Sequence, residues 1–350
     1  RPHRLLIVPV RFADTGYDRF AGDPAQDDRN RTYFQELLFA GGPENPAPGT
    51  LSHYYRHQSR GRYNVTGDIF PVVELERPLH HYGRPIQNSD RTWRNDERVT
   101  ELVHDALQAA YSARPDFPWR DYDLWDPQDF DDDGNRDEPD GYLDHFILIV
   151  AGKGQSSCHG LYKLNEKLTT NAPTNAFFAL DEAERACADR IWPHRFALSQ
   201  NLDSGPAVNG RMNVQGGLDI GNGMWVLDYN MQSEYTEPST FIHEFGHSLG
   251  LPDIYARSTN NSTAAWEAMS STASPERAIE WGVDETRILP FAESVGEVCH
   301  DQVPFRGHPV DEFSEHRREP LVTAAAGRGA HHRQLVPGRR LRHPLRRQVA

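Results

Sequence analysis

Short apolar runs alternate along this chain with long polar stretches rich in Gly, Pro and Asp. Leu5 to Phe12, LLIVPVRF, is a compact apolar run and predicts a buried strand. Residues 13–30 are polar and read as a loop. Thr32 to Phe39 places Tyr33, Phe34, Leu37 and Leu38 at helical spacing, and Gly41-Gly42 stops it. Pro43 to Gly49 is turn-rich, and Leu51 to Ser59 resumes a helical pattern. Tyr63 to Val73 reads as one or two strands, and residues 76–96 as irregular. Glu97 to Ala110 predicts a helix with Val99, Leu102, Val103, Ala106, Leu107 and Ala110 on one side. After an acidic stretch, Phe146 to Val150 predicts a central strand. Residues 152–175 read as a surface loop, Ile191 to Phe196 as a short strand or turn, and 199–222 as loop with short strands. Met224 to Met231 predicts a strand leading into a last helix at about 237–250.

That last helix carries the chemistry. Thr236 is placed to cap it, and Pro238 falls in its first turn, where a missing N–H costs little. Ile242, Phe245 and Leu249 make its apolar stripe. His243 and His247, four apart, project from one face one turn apart. Two imidazoles at that spacing suit one zinc ion, with Glu244 in reach of water at the metal as general base. Gly250 is placed to turn the chain back and Pro252 to forbid continuation. That turn sends Asp253 towards the metal as third ligand; Glu267, Glu276 and Glu280 are the alternatives. The whole pattern, H-E-x-x-H-x-x-G-x-x-D, is far more specific than its first five positions. Such sites carry a methionine turn beneath the metal, and Met269 within WEAMSS is the candidate. His194, Tyr229 and Tyr255 are candidates for stabilising the transition state, and spacing selects none of them.

A second constellation lies in the acidic stretch. Asp129, Asp131, Asp133 and Asn135 alternate, with Gly134 sixth, Asp137 ninth and Asp140 twelfth. This is calcium-loop spacing, except that the twelfth ligand is Asp and not a bidentate Glu. No EF-hand helix follows, so the reading is a calcium loop over 129–144 that precedes a strand.

Length and charge narrow the class. The 350 residues suffice for two average domains, or for one large domain with a tail. The formal charge of −14 argues against nucleic acid as partner. No apolar run reaches the length of a membrane span, and nothing at the start reads as a signal peptide. Of the three cysteines, Cys158 and Cys187 either bridge a loop or stay as thiols; Cys299 is the third. The organisation read here is a domain over 1–290 and an atypical tail over 291–350. Residues 321–350 hold seven arginines, three histidines and no acid. A disordered basic tail or an out-of-frame end both fit that composition.

With these residues in hand, the chain resembles the immune inhibitor A family of secreted bacterial metallopeptidases. The resemblance rests on HEFGHSLGLPDIY (243–255), WEAMSS (266–271), the DFDDDGN loop with DGYLDHFILIVAG (140–152), IWPHR (191–195) and LLIVPVRFADT. It covers roughly residues 1–285. It implies an α+β, metzincin-like fold, with a twisted mixed sheet over the active-site helix and a smaller lower subdomain. It further implies secretion, calcium for stability, and hydrolysis of extracellular proteins or peptides. A non-catalytic surface-binding or adhesive protein that keeps a structural metal is the competing expectation. The oligomeric state stays open.

Overall fold

A computed structural model describes residues 2–89, 93–158, 167–168, 173–198, 201–221, 223–253 and 268–269. Glu267, Glu276, Glu280, Tyr255, Cys299 and the tail over 291–350 lie outside the described residues.

The first strand, β1 (His3–Arg11), is buried along nearly its whole length. It pairs in parallel with β2 (Val65–Ile69) on one side and with β6 (Phe146–Val150) on the other. The two-residue β3 (Val73–Glu74) continues beside its end. β12 (Asp228–Ser233) adds in parallel to β6, and β7 (His194–Ala197) closes that edge in antiparallel fashion. The result is one mixed sheet in the order β2-β1-β6-β12-β7. Runs such as LLIVPV and FILIV are continuous because both faces of these central strands are covered.

The two faces hold different layers. Leu6, Val8, Val10, Leu148, Tyr229 and Met231 pack with α4 (Val99–Ala113), whose predicted apolar side is buried throughout. Leu5, Ile7, Ile147 and Ile149 pack against α1 (Gln26–Phe39), α2 (Leu51–Gln58) and the last helix, α6 (Pro238–Ser248). Phe241, Ile242 and Phe245 supply the buried face of α6.

Four elements depart from the reading of the sequence. α1 starts at Gln26, inside the stretch read as loop. Its first turn is polar and carries Asp27 and Asp28, which suit the helix dipole but leave no apolar signal. Residues 76–96 hold a short helix, α3 (Leu79–Gly83), and a small hairpin of β4 (Ile86–Gln87) with β5 (Trp93–Arg94). After a small hairpin of β8 (Ala207–Val208) with β9 (Arg211–Met212), Met224 to Met231 is not one strand: β11 (Met224–Val226) turns away to pair with β10 (Leu218–Gly221) before β12 begins. The helix α5 (Glu182–Ala188) was not foreseen, although Asp181 and Glu184 form a capping box at its start.

Cys158 and Cys187 form a disulfide across 29 residues of chain. The closed segment is held in other ways too. Arg84 makes two 2.8 Å bonds to Asp189, and Phe177, Leu180 and Ala188 make a small core of their own. Cys158→Ser should therefore cost about 2 kcal/mol, the low end of the range for a native bridge. Denaturant unfolding with and without reductant measures it, and identical midpoints would refute it.

Candidate metal centre

The site is built by the two ends of one turn. α6 stops because Gly250 takes a φ of +85°, a left-handed conformation that glycine adopts without strain. Gly250 N–H bonds to His247 O at 2.9 Å, and Leu251 N–H reaches back to Gly246 O at 3.1 Å. This Schellman closure turns the next residues under the helix end. Asp253 consequently returns to the face that carries both histidines. At the other end, Glu237 is the cap residue and Pro238 the first helical residue. Thr236 does not cap the helix as expected; its hydroxyl accepts the Ser233 N–H and closes the turn after β12.

Three ligand atoms meet. His243 Nε2 and His247 Nε2 are 3.2 Å apart. Asp253 Oδ1 lies 3.3 Å from each of them. A tetrahedral ion about 2.0–2.1 Å from its ligands needs ligand atoms about 3.3–3.4 Å apart, so the triangle fits zinc. The other ring nitrogens are committed. His243 Nδ1–H donates to Ala268 O and His247 Nδ1–H to Leu251 O, both at 2.7 Å. Those bonds fix the tautomers that leave both Nε2 lone pairs free. Burial works to raise the Asp253 carboxyl, but the imidazoles of His243 and His247 against it prevail and hold it well below the carboxylate range.

Glu244, between the two histidines on α6, is buried, 8% exposed. Burial pushes its carboxyl up, and His243 and His247 pull it back in part. Met269 lies under the helix: a Cβ added at Gly246 would come 2.5 Å from its Sδ. Tyr55 on α2 donates to Ile242 O at 2.7 Å and packs edge-on against Phe245. Gly246 and Tyr55 were missed in the sequence. Only Gly246 left a signal there, because a glycine inside a helix costs about 1 kcal/mol and marks a close approach.

His194 and Tyr229 do not face the metal centre. Tyr229 belongs to the layer against α4, on the other side of the sheet. His194 Nε2 bonds to its hydroxyl at 3.0 Å, and Nδ1 to Trp192 O at 2.6 Å. Burial pushes the imidazole down and the phenol up. Tyr229 is buried and His194 half-buried, a polar pair turned away from the candidate metal site.

The acidic loop is only partly as expected. The ligand atoms of Asp129, Asp131 and Asp133 come together. Tight turns make this possible, with Asp129, Asp132 and Gly134 all at positive φ. Asp129 Oδ1 accepts the N–H groups of Asp133 and Gly134, and Asn135 Oδ1 that of Asp137. Asp137 and Asp140 are not in the cluster. Asp140 is buried instead, with Oδ1 on the Tyr142 N–H. Pro139 precedes it and Asp123 holds its N–H, which draws the chain away before the twelfth position can close the loop. Asp140 lines a cleft beside the cluster with Asp126, Asp131 and Glu138.

Comparison with known proteins identifies the family. The family described as Immune inhibitor A peptidase M6, catalytic domain, matches residues 2–165 and 182–281. Immune inhibitor A of Bacillus thuringiensis subsp. alesti is 27% identical over 262 residues, covering 73% of this chain and 34% of that protein. Pre-pro-metalloprotease PrtV of Vibrio cholerae serotype O1 (strain M66-2) is 28% identical over 285 residues, 77% of this chain and 27% of that protein. The chain thus spans about a third or less of the length of these relatives. A segment of 25 residues is 80% identical to glucose-6-phosphate isomerase of Rhizorhabdus wittichii, but that is 7% of this chain and too little to argue a shared fold. With its family matched across most of the sequence, including the helix of His243, Glu244 and His247, the chain belongs to the immune inhibitor A peptidase M6 family.

Proposed function

We propose that the chain is the catalytic domain of a secreted zinc endopeptidase that hydrolyses extracellular proteins. One observation carries this reading: two imidazole nitrogens and a carboxylate oxygen form a triangle of 3.2–3.3 Å sides next to a buried glutamate. His243, His247 and Asp253 hold the zinc. Zinc, when bound, supplies a Lewis acid and brings the pKa of water at its open position towards neutrality. Glu244 takes the proton from the attacking water and passes it to the leaving nitrogen. Its burial suits that second step, because a raised pKa makes the protonated form easier to reach. Ala268 O and Leu251 O keep the two imidazoles oriented throughout. The base and three ligands together do not favour an adhesive protein with a structural metal.

The domain is taken to run over residues 1–290 and to be metzincin-like. Met269 packed under Gly246 supports a methionine turn. The disulfide supports an oxidising, extracellular setting, and no helix among the described residues is long and apolar enough to cross a membrane. Chelator-stripped protein should not cleave casein, and one equivalent of zinc should restore cleavage. Zinc-loaded protein that cleaves neither casein nor a broad peptide library would overturn the reading.

Calcium is proposed at Asp129, Asp131 and Asp133, with the acids of the neighbouring cleft available to complete the shell. With zinc held constant, calcium at ten times its Kd should stabilise the fold by about 1.4 kcal/mol. A thermal scan reads this as a rise of a few degrees. An unmoved melting temperature would remove calcium from the site.

A further inference from the structure

Two imidazoles meet behind the zinc helix, and the chemistry above uses neither. Leu5 and Ile7 of β1 and Ile147 and Ile149 of β6 pack on the face that carries α6. Strand alternation puts His3 of β1, and His145 just before β6, on that same face. The strands are joined at this level, with the Leu6 N–H on His145 O at 3.0 Å. His3 Nδ1 and His145 Nε2 are 3.2 Å apart. The His3 ring is stacked between Tyr63, at 4.2 Å, and Trp125, at 4.7 Å. His145 lies deeper, 9% exposed, with its ring edge-to-face against Phe245 of α6 at 5.0 Å. The pair thereby joins the start of β1, the turn before β2, the segment of Trp125 and the back of α6.

Only one proton fits between the facing nitrogens. One of them donates and the other accepts, and a further proton would set two N–H groups against each other. His145 has no other outlet, because its Nδ1 is buried with no hydrogen-bond partner among the described residues. The titratable groups on the elements around it are His3 of β1, Tyr63 before β2, Tyr55 of α2, Asp144 beside it in the chain, and Glu244 next to Phe245. Asp144 is engaged by the N–H groups of Leu124 and Trp125. Arg4 alternates to the other face of β1, where it pairs with Asp68. None of these lifts the His145 imidazole, and burial pushes it down from 6.5 to about 4. We propose that His3 and His145 form an acid-sensitive latch behind α6: near neutral pH the pair ties β1 and the Trp125 segment to the zinc helix, and acidification undoes the tie. The latch goes beyond the peptidase reading and does not depend on it. Its sign follows from which state takes up the proton. Between pH 6.5 and about 4 the unfolded chain protonates at His145 and the folded chain does not. The stability that depends on His145 is therefore complete above about pH 6.5 and is lost as pH falls towards 4.

His145→Leu removes the titrating ring and keeps the position apolar. Urea unfolding at pH 7 and at pH 4.5 gives the folding constant of each protein. Between those two conditions the wild type should lose about 50-fold more than His145→Leu. Both zinc-loaded and zinc-stripped protein are measured, because the metal-site histidines take up protons in the same range. The difference should be present in both forms. A difference confined to the zinc-loaded form belongs to the metal and overturns the proposal, as does an equal loss in wild type and variant. Hydrogen exchange in the stripped protein reads the tie itself, in peptides 2–8 of β1 and 239–246 of α6. After correction for intrinsic exchange rates, acidification should speed both peptides at least about tenfold more in wild type than in His145→Leu. A response in only one of them refutes a link between strand and helix. If His145→Leu does not fold, histidine NMR of the wild type decides. The His145 ring should stay neutral to about pH 5 while exchange in both peptides rises, and a ring that titrates near its ordinary value is a refutation.

Discussion

Glu244→Gln should keep its zinc and lose at least about 10³-fold in kcat/KM on casein. The reason lies in the division of labour on α6. The proposed ligand atoms are those of His243, His247 and Asp253, so a neutral amide at 244 leaves the triangle intact. Glutamine is close to glutamate in size, so it fills the same buried position. What vanishes is the capacity to take up and release a proton. A carboxylate acting as both base and acid contributes at each of two steps, and general acid–base catalysis is worth about 10²–10⁴-fold. The measurement pairs metal content with steady-state rates. Near-wild-type turnover at full zinc would place the base elsewhere. Loss of zinc together with activity would mean that Glu244 supports the ligand shell.

Much of this site was legible in the sequence because it is local. Histidines four apart share a helix face whatever the rest of the chain does, and Gly250 followed by Pro252 left one plausible way for the chain to turn. The apolar strands and α4 were legible for a similar reason: burial on both faces, or on one stripe, writes itself into the run. Contacts across the fold left no such mark. The edge strand β7 lies beside α6 although it comes far earlier in the chain, and periodicity says nothing about which strand is the edge. His194 and Tyr229 illustrate the same gap. Their residue types suited a transition-state role, but the side of the sheet they occupy is set by the register of β7 on β12. The acidic loop failed at its far end, where Pro139 and the Asp123 bond to the next N–H outweigh the spacing rule.

Replacing Asp253 should separate zinc binding from helix formation. Asp253→Ala removes one corner of the triangle and leaves His243 and His247 on an unaltered α6, because the Schellman closure depends on Gly250 and not on residue 253. Two neutral imidazoles remain, with no protein anion to balance the ion. Removing a group that only orients a metal ligand already costs about 10–100-fold in metal affinity, so loss of a ligand should cost at least the upper end of that range. Thermodynamic linkage turns this into a stability difference. At a zinc concentration of 100 Kd the wild type gains about 2.7 kcal/mol from binding. At the same concentration a variant weakened 100-fold gains only about 0.4 kcal/mol. Without zinc the two should differ far less, since Asp253 then contributes only its bonds to partly exposed histidines. Casein cleavage should fall to background in the variant and recover in part when zinc is raised. Competition with a chromogenic chelator gives the two affinities directly. Equal affinities would show that Asp253 stands beside the metal without holding it, and the third ligand would have to come from another acid.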